Sequence, residues 1–348
     1  MVLSFGELLL RICPDADGGW LQENALSCYV GGAEANVATA LALWGIPSAY
    51  LTALPDNMMS HQLLAYLGRR GIDTSRVVLQ GSRLGLYFLP KGKDLKNAGV
   101  IYDRAHSSFA EMQPGTMDWD KIFRDVKWLH FTAISPALNG TVAAVFGEAL
   151  KAASERKIFI SVDLNYRAKL WQYGKTPIEV MPGLVQYCDL VMGNLWAAEK
   201  MLGIPVDAEL AEGVTKEAYL AHAEKTSREI MRIFPRTKMV ANTFRFDKPG
   251  FDEVGFDKDG AGIQYYTTLY ADGKLLCSQE YSADRIVDKV GSGDCFMAGL
   301  IYGRYSGKDL RDTLEFATAA AFRKLFIAND ATNEGVEEIE KSILTYER

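Results

Sequence analysis

The sequence predicts an α/β fold: a mainly parallel sheet with crossover helices, joined to a small β appendage. Apolar runs of strand length alternate with stretches of helical period along most of the chain, as expected for parallel strands connected by helices. Two segments, residues 13–31 and 84–105, break this alternation, because aromatic and branched residues there alternate with polar ones and no helix intervenes. With 348 residues, 48% of them hydrophobic, the chain can bury about three quarters of its unfolded surface.

The core elements follow from short apolar runs and from helical periodicity. The predicted strands are Val2–Phe5, Ser48–Ala53, Lys127–Phe131, Ile158–Asp163, Leu190–Met192 and Met239–Thr243. The predicted helices are Glu34–Trp44, His61–Arg70, Thr141–Arg156, Trp196–Leu202, Lys216–Ile233, Asp294–Tyr305 and Leu310–Ile327.

The two segments that lack a helix are predicted to form antiparallel strands. They make up a β lid, residues 13–31 and 84–105, over an α/β core of residues 1–12, 32–83 and 106–348. No internal repeat or low-complexity tract divides the chain further, so a single core with a single lid is expected.

Charge and composition exclude several classes of protein. The 44 acidic residues outnumber the 38 lysines and arginines and give a net charge of −6, so no whole-protein field attracts nucleic acid or an anionic membrane. The five cysteines form no Cys-x-x-Cys pair and the four histidines have no metal-ligand spacing, which favours free thiols in a reducing cytoplasm. The N-terminal apolar run contains Glu7 and lacks a basic leader, which indicates a strand rather than a signal peptide. A cytoplasmic protein without nucleic-acid or membrane partners is expected.

The strongest motif lies directly before the helix predicted from residue 294. Gly291 and Gly293 allow backbone N–H groups to turn inward, and the helix N-terminus adds partial positive charge, so this turn is suited to hold a phosphate. Asp294, in the first helical turn, is placed to accept a proton from a hydroxyl that attacks that phosphate. An aspartate at this position also commonly caps a helix, and the motif alone leaves both interpretations open.

Two further motifs indicate a polar ligand. Gly31-Gly32 precedes Asn36 at the start of a small-residue helix, where bare backbone lets a polyhydroxyl compound approach; an ordinary glycine turn is the alternative. Arg167 follows the predicted strand that ends at Asp163, at the edge where open α/β sheets bind ligands.

The two arginines of these regions fit an acidic ligand. In the second lid segment a period of two places Tyr102 and Arg104 on one strand face, from which both can point at a ligand. The guanidinium groups of Arg104 and Arg167 are suited to clamp a carboxylate. Taken singly, each arginine also fits a solvated surface position.

In this order, Gly-Gly-x-x-x-Asn36 in the first quarter and Asp288-x-x-Gly-x-Gly-Asp294 before a late helix resemble the motifs of the ribokinase-like (PfkB) carbohydrate kinases. The segments Tyr102-Asp-Arg104 and Asp163-Leu-Asn-Tyr-Arg167 are similar to those of the family's 2-keto-3-deoxygluconate kinases. The resemblance spans nearly the whole chain.

The resemblance implies a three-layer α/β/α core with a β lid that often forms a dimer interface, and ATP with Mg²⁺ as the phosphoryl donor. It implies that Gly291, Ser292 and Gly293 form the anion hole and that Asp294 is the catalytic base. The residues implied for the sugar acid are Gly32, Asn36, Tyr87, Tyr102, Arg104 and Arg167. Those implied for the nucleotide are Asn194, Asn242, Gly291 and Gly293, and no metal ligand is identified.

The sequence departs from the family pattern at several places. The family's Asn-x-x-Glu motif is Asn194-Leu-Trp-Ala197 here, without its acid unless Glu199 substitutes, and Ser292 stands where the family usually has alanine or glycine. The expected reaction is phosphorylation of 2-keto-3-deoxygluconate at its primary hydroxyl. A kinase of a neutral sugar such as fructose or ribose, and a sugar-binding regulator without catalysis, are the alternatives.

Overall fold

The computed structural model describes residues 1–14, 20, 25–90, 99–208, 210, 215–247 and 263–346. The strands are β1 (Val2–Phe5), β2 (Leu9–Cys13), β3 (Ser27–Gly31), β4 (Ser48–Leu51), β5 (Ala53–Leu54), β6 (Ile72–Asp73), β7 (Val78–Leu79), β8 (Gly85–Phe88), β9 (Ile101–Asp103), β10 (Trp128–Thr132), β11 (Phe159–Asp163), β12 (Leu190–Gly193), β13 (Met239–Asp247), β14 (Ile263–Ala271), β15 (Lys274–Cys277) and β16 (Tyr281–Ala283). The helices are α1 (Ala33–Leu43), α2 (Met58–Gly68), α3 (Trp119–Ile122), α4 (Gly140–Glu155), α5 (Pro177–Val185), α6 (Leu195–Leu202), α7 (Lys216–Ile233), α8 (Ser292–Tyr305), α9 (Leu310–Lys324) and α10 (Val336–Tyr346).

The main sheet is mostly parallel, as the sequence predicts. Its strand order is β15-β14-β13-β12-β11-β10-β1-β4-β6, with β16 beside β14. The strands from β13 to β6 in this order run parallel, whereas β14, β15 and β16 add an antiparallel edge that was not predicted. Since parallel strands end at one edge of a sheet, the carboxyl ends of β11, β12 and β13 lie side by side there.

Helices cover both faces of this sheet and make the three-layer sandwich. The alternation of side chains along β1 shows the arrangement. Leu3 and Phe5 pack into a core with residues of α4, α5 and α6, whereas Val2 packs into a second core with residues of α1, α8 and α9. The predicted fold class is confirmed. Of the described helices, none is both long and apolar enough to span a bilayer.

A separate small sheet, β3-β2-β8-β9, corresponds to the predicted lid. Within the segments predicted to be antiparallel, β8 and β9 do pair antiparallel, whereas β2, which lies almost entirely before the first segment, pairs in parallel with β8. These two strands are joined through core elements rather than by a hairpin, so the chain can return in the same direction. The small sheet begins at Leu9, so residues 9–12, which were predicted to belong to the core, belong to it instead. Residues 15–19, 21–24 and 91–98 of the predicted lid lie outside the described residues.

Candidate active site

The N-terminus of α8 presents backbone amides at the carboxyl edge of the main sheet. Gly291 precedes the helix with φ +79°, and a Cβ atom there would lie 1.8 Å from the carbonyl oxygen of Asp330. Only glycine therefore fits this position. The first intrahelical bond runs from Cys295 N to Gly291 O, 2.9 Å, so the N–H groups of residues 292–294 have no intrahelical acceptor. Such a turn favours an anion.

Ser292 contributes its amide rather than its hydroxyl to this turn. Its Oγ donates to the carbonyl oxygen of Ala321 on α9, 3.0 Å away, and the side chain is buried. The departure from the family's alanine or glycine at this position is therefore absorbed by packing between α8 and α9. The amide N–H remains in the turn with that of Gly293.

Asp294 holds a buried carboxylate beside these amides. The residue is 9% exposed, and its Oδ2 accepts a hydrogen bond of 2.7 Å from Nδ2 of Asn36. Burial raises the pKa of Asp294 to about 7; the negative charges of Asp163 and Glu34 act in the same direction, and the Asn36 bond and the charge of Arg167 oppose them. A carboxylate with a pKa near neutrality is suited to accept a proton at physiological pH.

The capping alternative for Asp294 does not describe the geometry. The N-cap position of α8 is occupied by Gly291, and no side chain caps the helix. The carboxylate of Asp294 instead accepts a hydrogen bond from Asn36 on α1. Its carboxylate is thus held by a tertiary contact between two helices.

The Gly31-Gly32 turn brings Asn36 to this carboxylate. Gly32 has φ +131°, and a Cβ atom there would lie 2.6 Å from the carbonyl oxygen of Glu7, so a side chain cannot be accommodated. Asn36 N donates to Gly32 O, 2.9 Å, in the first turn of α1. The resemblance assigned Asn36 to sugar oxygens, whereas its amide nitrogen holds the carboxylate of Asp294.

Arg167 acts by its charge on Asp294 and on Tyr102. The chain turns after β11 with Asn165 N bonded to Asp163 Oδ1, 3.0 Å. Nη1 of Arg167 donates to Tyr166 O, 2.9 Å. Nε of Arg167 and the hydroxyl of Tyr102 are buried and have no hydrogen-bond partner among the described residues. Two buried donors without an acceptor fit a ligand that carries oxygen acceptors, such as a carboxylate.

Tyr102 also lies within the field of both predicted arginines. Burial raises the pKa of the Tyr102 hydroxyl, and the positive charges of Arg167 and Arg104 oppose this effect. Arg104 itself pairs through Nε with Oε2 of Glu7, and both side chains are almost fully buried. Ser107 Oγ donates to the other oxygen of Glu7. Arg104 is therefore partly committed to a structural ion pair, which sequence reasoning did not anticipate.

The hydroxyl of Tyr87 is directed at the core. It donates to Oδ2 of Asp330, 2.7 Å, and the tyrosine is 7% exposed. Tyr87 lies opposite Tyr102 in the β8–β9 pairing, and its ring would lie 3.1 Å from a Cβ atom at Gly31. The ring thus lies on the same face of the small sheet as Tyr102, while its hydroxyl contacts Asp330.

Comparison with known proteins identifies this arrangement. The model of the pfkB family of carbohydrate kinases matches residues 1–230 and 248–325. The chain belongs to the PfkB family. A structure of 2-dehydro-3-deoxygluconokinase from Thermotoga maritima matches with a TM-score of 0.85 at 34% identity, covering 99% of each chain. The 2-dehydro-3-deoxygalactonokinase of Haloferax volcanii is 25% identical over 98% of this chain and 95% of its own. The 2-dehydro-3-deoxygluconokinase of Bacillus subtilis is 24% identical over 99% and 96%.

The expectation of a PfkB carbohydrate kinase is thereby confirmed, and the chain is a sugar kinase. The family match covers both the Gly-Gly turn that precedes α1 and the turn that precedes α8. In both turns the backbone geometry requires glycine, at Gly32 and at Gly291.

The residues predicted for the nucleotide lie near the turn before α8. Gly193, the last residue of β12, lies opposite Asn242 in β13, and Asn242 Nδ2 donates to Gly193 O, 2.9 Å. Oδ1 of Asn242 is buried without a hydrogen-bond partner in the described part of the chain. The side chain of Met192 lies against Gly293, 3.8 Å from a Cβ atom there. The turn before α8 thus lies close to the carboxyl end of β12, which pairs with β13.

In the altered Asn-x-x-Glu motif, Asn194 and Glu199 contact different parts of α6 and the segment that follows it. Asn194 caps α6 by accepting from Ala197 N, 2.7 Å. Glu199 pairs with Lys200, 3.0 Å, and accepts from Val206 N at 3.5 Å. These contacts hold Glu199 toward the C-terminal end of α6, away from the Asn194 cap. Across the described residues there is also no group of three or more His, Cys, Asp or Glu side chains that could hold a metal ion.

Sequence reasoning missed Glu34 as a part of this site. It is 1% exposed, and its Oε1 accepts from Thr132 N, Thr132 Oγ1 and Ser135 Oγ at 2.7 to 3.1 Å. The missing side chain of Gly6 leaves room for the carboxylate. Burial raises the pKa of Glu34, and its hydrogen bonds act against this. The available signal was an acid in the first turn of a helix whose other residues are all uncharged.

Proposed function

We propose that the protein transfers the γ-phosphate of ATP to the primary 6-hydroxyl of 2-keto-3-deoxygluconate (2-dehydro-3-deoxygluconate), giving the 6-phosphate. The observation that carries the proposal is the buried carboxylate of Asp294, with a pKa near 7, beside the amides that begin α8. A proton acceptor and an anion-binding turn at one point in space are what phosphoryl transfer to an alcohol requires.

An acidic substrate is supported by the donors around Asp294. Nε of Arg167 and the hydroxyl of Tyr102 are buried and unpartnered within the described residues. A neutral sugar gives the guanidinium no opposite charge, whereas a carboxylate accepts its hydrogen bonds with charge assistance. Fructose or ribose is therefore a weaker candidate. A regulator without catalysis does not require the raised pKa of Asp294.

The residues then have distinct roles. Asp294 accepts the proton of the 6-hydroxyl as its oxygen bonds to the γ-phosphorus and the bond to the ADP oxygen breaks. Asn36 orients the carboxylate, and the amides of residues 292–294 stabilise charge on the transferring group. Because the transition state of phosphoryl transfer is loose, positioning and charge stabilisation dominate. The general base contributes about 10²- to 10⁴-fold.

ATP and Mg²⁺ are compatible with the residues present. Magnesium commonly binds through substrate phosphates and water with only one or two carboxylates, which fits a site where the described residues offer no acidic cluster. The backbone of Gly291 and Gly293, with Asn194 and Asn242, would face the nucleotide. When bound, Mg²⁺ neutralises phosphate charge.

A substrate panel tests the proposal. ADP release by the purified protein with MgATP is compared for 2-keto-3-deoxygluconate, its galactonate epimer, 5-keto-2-deoxygluconate, fructose and ribose, against a sugar-free control. The highest kcat/KM is expected for 2-keto-3-deoxygluconate. A preference for fructose or ribose would refute the acidic-substrate assignment. ADP release at the sugar-free rate with every compound would instead favour a regulator.

A further inference from the structure

Beneath the anion-binding turn lies a group of buried charges that the proposed mechanism does not use. We define this buried charge cluster as Arg11 on β2, Lys324 at the end of α9, and the two carboxylates of Asp288 and Asp330. Each of the four residues is at most 1% exposed. Burying a charge destabilises the fold unless the charge is paired. The four side chains lie directly behind the turn that begins α8, so their pairing affects the position of that turn.

Arg11 links both carboxylates from the small sheet. Its Nη2 donates to Asp288 Oδ2, 3.0 Å, and lies 2.8 Å from Asp330 Oδ1. Its guanidinium also lies over the ring of Tyr29 on β3, 4.6 Å from the centroid. Tyr87, the partner of Arg11 in the β2–β8 pairing, donates to the other oxygen of Asp330. Two neighbouring residues of the small sheet therefore hold two carboxylates of the core.

Both carboxylates belong to segments that shape the turn. Oδ1 of Asp288 accepts from Val290 N, 3.0 Å, so one carboxylate binds Arg11 and also fixes the backbone directly before Gly291. The carbonyl oxygen of Asp330 is packed against Gly291 so closely that no side chain fits there. A displacement of either aspartate therefore displaces Gly291, where the free amides of α8 begin.

Lys324 completes the cluster from the opposite side. Its Cε would lie 3.3 Å from a Cβ atom at Gly291, and its Nζ donates to Ile327 O, 3.0 Å. Burial lowers the pKa of Lys324, and the charges of Asp288 and Asp330 oppose this. With Arg11 and Lys324 the cluster has as many basic as acidic groups, so removing one member leaves an unpaired charge behind the turn.

We propose that Arg11 is a positioning residue for phosphoryl transfer: from the small sheet it fixes Asp288 and Asp330, and through them the amides that bind the transferring group. The inference rests on the proposed kinase function. Arg11 acts through the two aspartates and the turn, so its loss impairs the transition state rather than sugar binding.

The test compares Arg11→Met and Arg11→Lys with the wild-type protein, using whichever sugar acid the wild type phosphorylates best. A misplacement of about 1 Å costs about 100-fold in rate, so Arg11→Met is expected to lower kcat and kcat/KM together by about 10- to 100-fold, with KM for the acid almost unchanged. Arg11→Lys keeps the charge, but its shorter side chain does not reach the point from which Nη2 of Arg11 contacts both carboxylates. Its kcat is expected to lie between those of Arg11→Met and the wild type.

Arg236→Met is the matched control. Arg236 donates from Nε and Nη2 to Oδ2 of the buried Asp189, at 3.2 and 2.9 Å, directly before the amino end of β12 and thus at the edge of the sheet opposite to the turn. The substitution Arg236→Met therefore removes a guanidinium from a buried carboxylate without changing a contact of the turn. A lowered Tm with an unchanged kcat, measured well below Tm, is expected.

Two results would overturn the positioning role. One is a kcat within about twofold of the wild type for every Arg11 variant that folds; if Arg11→Met does not fold, Arg11→Lys decides alone. The other is an equal fall of kcat in Arg236→Met, which would assign the effect to lost stability. Neither result bears on the proposed reaction, which is tested by the wild-type protein on the substrate panel.

Discussion

Replacing Asp294 by asparagine removes the proton acceptor while keeping the shape of the side chain. The asparagine oxygen can still accept the bond from Asn36, so the contact between α1 and α8 is retained. Because an amide does not take up the substrate proton, kcat is expected to fall by about 10²- to 10⁴-fold, which corresponds to about 3 to 5 kcal/mol of transition-state stabilisation.

The same substitution is expected to stabilise the fold at neutral and higher pH. The pKa of Asp294 rises from 3.8 to about 7 on folding, so between these values the native state holds a proton that the unfolded state has lost. The free energy of unfolding therefore decreases as the pH rises from about 4 to about 7. Above pH 7 the free energy of unfolding is lower than at pH 4 by about 4 kcal/mol because of this group. Asparagine does not titrate, so Asp294→Asn removes this decrease.

The assays are turnover with MgATP and thermal unfolding at pH 4 and at pH 8. Asp294→Asn is expected to lose activity and to unfold at a higher temperature than the wild type at pH 8, with little difference at pH 4. Glu337→Gln, which changes an exposed carboxylate on α10, is the control and is expected to change neither property. Turnover within about tenfold of the wild type would refute the role of Asp294 as base. An unchanged unfolding temperature at pH 8 would refute the argument from burial.

Three further outcomes are expected. In a pH profile, kcat/KM of the wild type should rise with pH as Asp294 loses its proton, with a midpoint at about 7. A kcat/KM that does not change over about 3 pH units that include this midpoint would contradict this. Arg167→Ala should lower kcat/KM for the keto acid by an amount that corresponds to about 2 to 5 kcal/mol of transition-state binding, and it should leave kcat/KM for a neutral sugar unchanged. An equal fall of kcat/KM for both sugars would exclude carboxylate binding by Arg167. Gly291→Ala should abolish turnover and destabilise the protein far more than Gly307→Ala, since both have φ near +80° but only Gly291 meets the backbone of Asp330; unfolding temperatures that match would disprove the steric argument.

The turn before α8 could be predicted because its signals are local. Two glycines and an aspartate directly before a helical pattern determine an anion-binding N-terminus without knowledge of the rest of the chain. The partner of Asp294 could not be predicted, because Asn36 is 258 positions away and its side chain equally suits a sugar oxygen. The ion pair of Arg11 with Asp288 spans 277 positions. Such contacts depend on tertiary placement, which a single sequence does not encode locally.

The missed sheet edge has a different cause. All but one of the residues of β14 (Ile263–Ala271) are buried, because α7 and α9 cover its two faces. Its side chains therefore do not alternate between apolar and polar, and the period of two that identifies a half-exposed strand is absent. The parallel pairing of β2 with β8 likewise depends on the path of the chain through the core, not on the composition of either strand.

The path of the first thirteen residues has a consequence for protein engineering. The chain leaves the main sheet at Phe5 and enters the small sheet at Leu9, so the two sheets share one continuous stretch of backbone. A chimera that exchanges the small sheet for that of a related kinase, in order to change the accepted sugar, must replace two separate segments of sequence, residues 9–31 and 85–103. The chimera must also keep acidic partners for the residue at position 11 in the C-terminal part of the chain. Without them, a buried arginine of the small sheet would have no carboxylate to pair with.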